Sequence, residues 1–111
     1  MKIQEYSFGK MNIDGKIYAE DLIIFPDKIK DNWWRKEGHL LQLNDLNEVW
    51  NNCKKLIIGK GYDGMMEISN DVKKKCKELR IKLVFGKTKE MVKEYNNSDK
   101  EKTIAGFHLT C

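Results

Sequence analysis

Leu56-Ile57-Ile58-Gly59-Lys60-Gly61-Tyr62-Asp63-Gly64-Met65 reads as a short buried strand running into G-x-G-x-x-G. A dinucleotide fingerprint needs its helix to open at the motif, so that a pyrophosphate meets the free N–H groups of the first turn. Here Met65-Met66-Glu67-Ile68 separate Gly64 from Ser69, the residue suited to cap the next helix. The following strand ends Phe85-Gly86-Lys87, without the carboxylate that would hold the ribose hydroxyls. Gly86-Lys87-Thr88 matches the end of a phosphate-wrapping loop, but the glycine required five positions earlier is Ile81. Both nucleotide readings fail. The segment is a strand that leaves through a tight turn.

Working outward, the order of elements after this strand is regular. A helix is expected after Ser69, a strand from Ile81 to Phe85, and a helix capped by Thr88 with Met91, Val92 and Tyr95 facing inward. A final strand is expected from Thr103 to Leu109. Before residue 43 the chain reads as strands. Asp14-Gly15 between Met11-Asn12-Ile13 and Lys16-Ile17-Tyr18 is a hairpin signal, because both central residues of a type I′ turn need positive φ. Leu22 to Phe25 is a further strand, ended by Pro26-Asp27. Leu46, Val49, Trp50 and Cys53 recur at helical spacing, with Asp45 and Glu48 placed to cap that helix. The sum is one α/β domain over residues 1–111. It has three layers, a mixed central sheet with a β-α-β-α-β C-terminal part, and an added N-terminal antiparallel β layer.

The 111 residues suffice for one domain, and the balance of 41% hydrophobic to 34% charged is that of a globular chain. No apolar run approaches the ~20 residues of a membrane span, and Met1-Lys2-Ile3-Gln4-Glu5 does not begin a signal peptide, so a cytoplasmic protein without a membrane partner is expected. Cys53, Cys76 and Cys111 form no C-x-x-C pair and are read as reduced thiols. The net charge of +4 is concentrated in Lys73-Lys74-Lys75-Cys76-Lys77, where Val72, Cys76 and Leu79 share one helix face and the lysines point to water. That run lacks interleaved aromatics and arginines, so a nucleic-acid partner is not expected.

In open α/β sheets, ligands collect at the carboxyl ends of parallel strands. With the strands at Leu56 and Ile81 parallel, Gly59, Lys60, Gly61, Gly64, Ser69, Lys87 and Thr88 form a rim at that end. Two helix N-termini add partial positive charge, so the rim could hold a small anion; the plainer reading is glycines for tight turns and lysines for solubility. Trp33-Trp34-Arg35 is the second candidate site. In an extended segment the two indoles face opposite sides, so one packs inside and the other lies on the surface beside Arg35, where tryptophan and arginine suit a protein partner. An exposed sheet edge or tryptophan would equally serve to pair two copies.

Ser7-Phe8-Gly9, the Asp14-Gly15 hairpin, Phe25-Pro26, Trp33-Trp34-Arg35, Gly38-His39, Ile57-Ile58-Gly59-Lys60-Gly61, Glu94-Tyr95-Asn96 and Phe107-His108-Leu109-Thr110-Cys111 occur in an order that resembles the adipogenesis-associated domain family. Distant relatives of that family include a mitochondrial complex I assembly factor. The resemblance covers essentially the whole chain. It implies a three-layer α/β fold whose last strand runs antiparallel to its neighbours, and it implies no reaction. Lys60 and Lys87 depart from the Thr or Arg and the Pro common at those places, adding charge to the rim.

His39, His108 and Cys111 are the remaining chemical candidates. His108-Leu109-Thr110-Cys111 has H-x-x-C spacing, but on a continuing strand its two ends face opposite sides. With no second short-spaced pair, neither a metal nor a cofactor is expected. A Cys–His nucleophile at Cys111 would sit at the chain end, beside a carboxylate that opposes thiolate formation. The expectation is a non-catalytic binding or assembly-type module. The alternative is a small-molecule enzyme or binding protein for an anionic ligand at the glycine loops.

Overall fold

A computed structural model describes residues 1–51 and 53–111. The chain runs β1 (Ile3–Ser7), β2 (Lys10–Ile13), β3 (Lys16–Tyr18), β4 (Leu22–Ile24), β5 (Ile29–Lys30), β6 (Leu40–Leu41), a 3-10 turn (Leu43–Leu46), β7 (Lys55–Lys60), β8 (Glu67–Ile68), α1 (Asn70–Glu78), β9 (Lys82–Gly86), α2 (Thr88–Asn96) and β10 (Thr103–His108). The central sheet has the order β5-β4-β10-β7-β9. β1, β2 and β3 form a separate antiparallel sheet, and β6 pairs with β8. Asp14 and Gly15 both have positive φ, as the β2–β3 hairpin requires. No helix among the described residues is long and apolar enough to cross a membrane.

β10 lies at the centre of the sheet and is buried along its whole length, so its run Thr-Ile-Ala-Gly-Phe-His has two cores to fill. It runs parallel to β7, from Thr103 beside Lys55 to His108 beside Lys60, and antiparallel to β4. The expectation of a last strand antiparallel to its neighbours is thus corrected on one side. The strand is reached through α2, a crossover that returns the chain in the direction of β7. β7 and β9 are parallel, as expected.

Alternation along the strands sorts side chains to the two faces. Ile23, Leu56, Ile58 and Ile104 pack with Trp33, Leu41, Leu46, Val49 and the α1 residues Val72 and Cys76. Leu22, Ile24, Ile57, Ala105 and Phe107 pack with Met91 and Tyr95 of α2 and with Ile3, Met11 and Ile13 of the small sheet. These are the three layers. Cys76 and Cys53 are buried, and burial pushes the Cys76 thiol up to about 11, so both are inert packing groups.

Several local expectations change. In place of the helix expected through Leu46, Val49, Trp50 and Cys53, the described residues form a 3-10 turn at Leu43–Leu46 followed by a further turn, although Leu46, Val49 and Cys53 are buried as the stripe demands. The carbonyl of Asp45 accepts the Trp33 indole N–H at 2.9 Å, and the Val49 N–H goes to Leu46 at 3.0 Å instead, which tightens the turn. Glu48 does not cap; it pairs with Lys30, and the Gln42 N–H donates to Asp45 instead. Asn52, within that stripe, lies outside the described residues. Ser69 caps α1 as expected, accepting from the Val72 N–H. Leu79 is exposed rather than inward, because α1 ends at Glu78.

Candidate functional site

Thr88 is the first residue of α2, not its cap, and its hydroxyl has a different task. It is fully buried, donates to the His108 carbonyl at 2.7 Å and accepts the Gly61 N–H at 2.9 Å. One side chain therefore ties the glycine loop, α2 and the end of β10 together. The glycines make this approach sterically feasible. A Cβ on Gly59 would lie 2.6 Å from the Phe107 ring and 2.8 Å from Thr88 Oγ1. A Cβ on Gly61, whose φ is +105°, would meet the Cys111 carbonyl carbon and Thr110 oxygen at 2.6 Å. The loop also holds Thr110 and Cys111. The Tyr62 N–H donates to Thr110 at 2.8 Å and the Met65 N–H to Cys111 at 3.1 Å.

Lys60 and Lys87 leave the same end of the sheet toward different neighbours. Lys60 Nζ stands 5.6 Å from the Phe85 ring centre, a ring it shares with Lys73. Lys87 lies with its stem against Gly64 and lines a cleft of about 390 Å³ with Tyr62, Lys89, Glu90 and Lys93. Ser69 spends its hydroxyl on α1.

Trp33 is buried and lies against Gly106, where a Cβ would meet its ring at 3.0 Å. Trp34 is 76% exposed. Arg35, expected on the surface beside Trp34, is instead buried under a tenth exposed. The reason is a partner that the sequence pattern did not single out, Asp21. Arg35 Nη2 lies 2.8 Å from Asp21 Oδ2, and the guanidinium sits 4.8 Å from the Trp33 ring centre. Asp21 Oδ2 also accepts from His108 Nδ1 at 2.7 Å, and its Oδ1 accepts the Leu109 N–H at 2.7 Å. Burial works to raise the Asp21 carboxyl, but the hydrogen bonds from His108 and the Leu109 N–H, with the positive charge of Arg35, outweigh it and hold it below its ordinary range.

β10 ends at His108, so the opposite-face rule no longer applies to Cys111. The chain turns, and Cys111 Sγ comes within 3.6 Å of His39 Nε2. A ring nitrogen of His39, one of His108 and Cys111 Sγ all lie within 4.8 Å of one another. His39 is brought from far along the chain by the β6–β8 pairing, its carbonyl accepting the Glu67 N–H at 2.8 Å. With its Nδ1 on Asp21, His108 has Nε2 buried and unpartnered.

A conserved hypothetical protein of Pyrococcus horikoshii OT3 has a similar structure, with a TM-score of 0.83 and 27% identity over 100% of both chains. A protein of Bartonella henselae described as an outer membrane protein matches with a TM-score of 0.80 and 18% identity, over 98% of this chain and 94% of that one. A Xanthomonas campestris protein solved by NMR matches with a TM-score of 0.77 and 17% identity, over 96% and 83%. The last two show the fold alone. No curated protein matches the chain. The model of the family described as protein of unknown function (DUF498/DUF598) matches residues 3–108. The chain belongs to the DUF498/DUF598 family.

Proposed function

We propose that the domain is a non-catalytic binding module that docks a protein partner on Trp34. The observation that carries this is the contrast within three residues. Trp34 is 76% exposed, while Trp33 on one side and Arg35 on the other are buried and tied to the sheet. The Trp33 N–H donates to the Asp21 carbonyl at 2.7 Å, its indole to Asp45, and Arg35 is paired with Asp21. An exposed indole on a fixed backbone loses little freedom on binding, and tryptophan is enriched among residues that dominate interface energy. Trp34 also lines two clefts, of about 430 and 320 Å³. The larger is lined by both signs of charge, Lys30 and Lys36 with Asp45 and Glu48, which suits a protein surface with complementary charges. The resemblance to the adipogenesis-associated domain family, with its assembly-factor relative, points the same way.

The test is affinity purification from native extract with the wild-type chain and with Trp34→Ala. Proteins recovered by the wild type and lost by the variant support docking at Trp34. Identical recovery removes it. Sedimentation of the purified chain distinguishes a second copy as the partner, since self-association that Trp34→Ala abolishes would make the partner this same chain.

A second reading has its own observation. Lys87, Lys89 and Lys93 share one concavity with Tyr62, at the end of the sheet where ligands collect in open α/β folds. This favours a small anion such as phosphate near Lys87.

A further inference from the structure

We propose that His39, His108 and Cys111 form a binding site for a divalent transition metal ion of the zinc class. The site is independent of the partner docked on Trp34. A thiolate and two imidazoles are a donor set for zinc or cobalt, whereas calcium and magnesium prefer oxygen. A tetrahedral zinc, with bonds of about 2.3 Å to sulfur and 2.0–2.1 Å to nitrogen, places those two donors about 3.5–3.6 Å apart. Cys111 Sγ and His39 Nε2 are 3.6 Å apart, and the third donor lies within 4.8 Å of both.

The surroundings of His108 provide the independent evidence. The residue is 6% exposed, its Nδ1 lies 2.7 Å from Asp21 Oδ2 and 3.1 Å from Arg35 Nη2, and its Nε2 is buried with no partner. A carboxylate on the far nitrogen is the usual support of a metal-bound histidine, since it fixes the tautomer and aims the free nitrogen. The other two donors stand on anchored backbone. The Met65 N–H holds the Cys111 carbonyl and the Glu67 N–H holds that of His39. His39 is exposed and Cys111 half-buried, so the site opens to solvent and a fourth position is free for water or a ligand. On binding, the metal–sulfur bond replaces the Cys111 S–H bond, and the proton leaves to solvent.

Cobalt titration of the chelator-stripped full chain, under reducing conditions, tests the proposal. The expected result is a thiolate-to-cobalt charge-transfer band that saturates at one equivalent and disappears when zinc is added. Cys111→Ser should lose that band, and His39→Ala and His108→Ala should each weaken binding. Asp21→Asn, acting through His108, should keep the band but lower affinity about 10–100-fold. No charge-transfer band in the wild type would overturn the proposal. So would a band unchanged in Cys111→Ser, which would place the metal on other thiols. Alkylation of Cys111 that depends on His108 and is unaffected by zinc would also overturn it, making the cluster a nucleophile and base instead.

Discussion

Asp21 Oδ2 and His108 Nδ1 are 2.7 Å apart, joining the residue before β4 to the last residue of β10. The same carboxylate holds the buried Arg35, so three distant stretches of chain meet on one half-buried group. Removing it strands a guanidinium, an imidazole and a backbone N–H. Asp21→Ala should cost about 3–5 kcal/mol of unfolding free energy, the range for breaking a buried ion pair. Urea unfolding measures this, and a loss below about 0.5 kcal/mol, the scatter of surface changes, would show that the pair is dispensable.

Acid should weaken the same link. A carboxyl held below its ordinary range stabilises the fold above its unfolded value of about 3.9, and that contribution is lost as pH falls through the lower folded value. Stability should therefore drop below about pH 4, and Asp21→Asn should lack this part of the drop. Urea midpoints collected across that range decide it. Parallel curves for the two proteins would contradict the assignment.

The paired tryptophans should separate cleanly. Trp33→Ala opens the core against Gly106 and should cost about 3–5 kcal/mol, while Trp34→Ala should stay within about 0.5 kcal/mol of the wild type. Thermal or urea unfolding checks both. A large loss at Trp34 would mean that its ring supports the fold, leaving less of it for a partner.

Arg80 carries a φ of +58° just after α1, where its N–H and that of Ile81 close the helix onto Lys77 and Cys76. A side chain in this left-handed conformation costs roughly 1 kcal/mol, and glycine does not bear that cost. Arg80→Gly should raise stability by up to about that amount, read as a higher urea midpoint. A lower midpoint would point to a contact of the Arg80 side chain that compensates the strain.

The second reading, an anion in the cleft at Lys87, gives a salt-specific prediction. Phosphate or sulfate should raise the melting temperature more than chloride at matched ionic strength, and the Lys87→Ala, Lys89→Ala double variant should erase the difference. Sulfate stabilises proteins generally by exclusion from their surfaces, so the variant is the necessary comparison. If the full effect remains in the variant, no anion is held there.

The fold was largely legible because its signals are local. The hairpin at Asp14-Gly15, the Ser69 cap and the alternating faces of β7 and β10 each follow from a few neighbouring residues. The stripe from Leu46 to Cys53 misled because burial was right but backbone pairing was not, the Asp45 carbonyl having been taken by the distant Trp33 indole. Thr88 likewise had a local cap to make and a long-range bond that won. Asp21 carried no local mark, since its partners lie at positions 35, 108 and 109. The gathering of His39 with Cys111 depends on where β10 stops and on the β6–β8 pairing, neither of which spacing reveals.

Docking on Trp34 is the central claim, and hydrogen–deuterium exchange of the complex recovered from native extract tests it most directly. Binding there should slow exchange in residues 31–36 and in the adjoining cleft wall at residues 42–48, leaving α2 unchanged. Protection confined to other surfaces, with residues 31–36 exchanging as in the free chain, would contradict it.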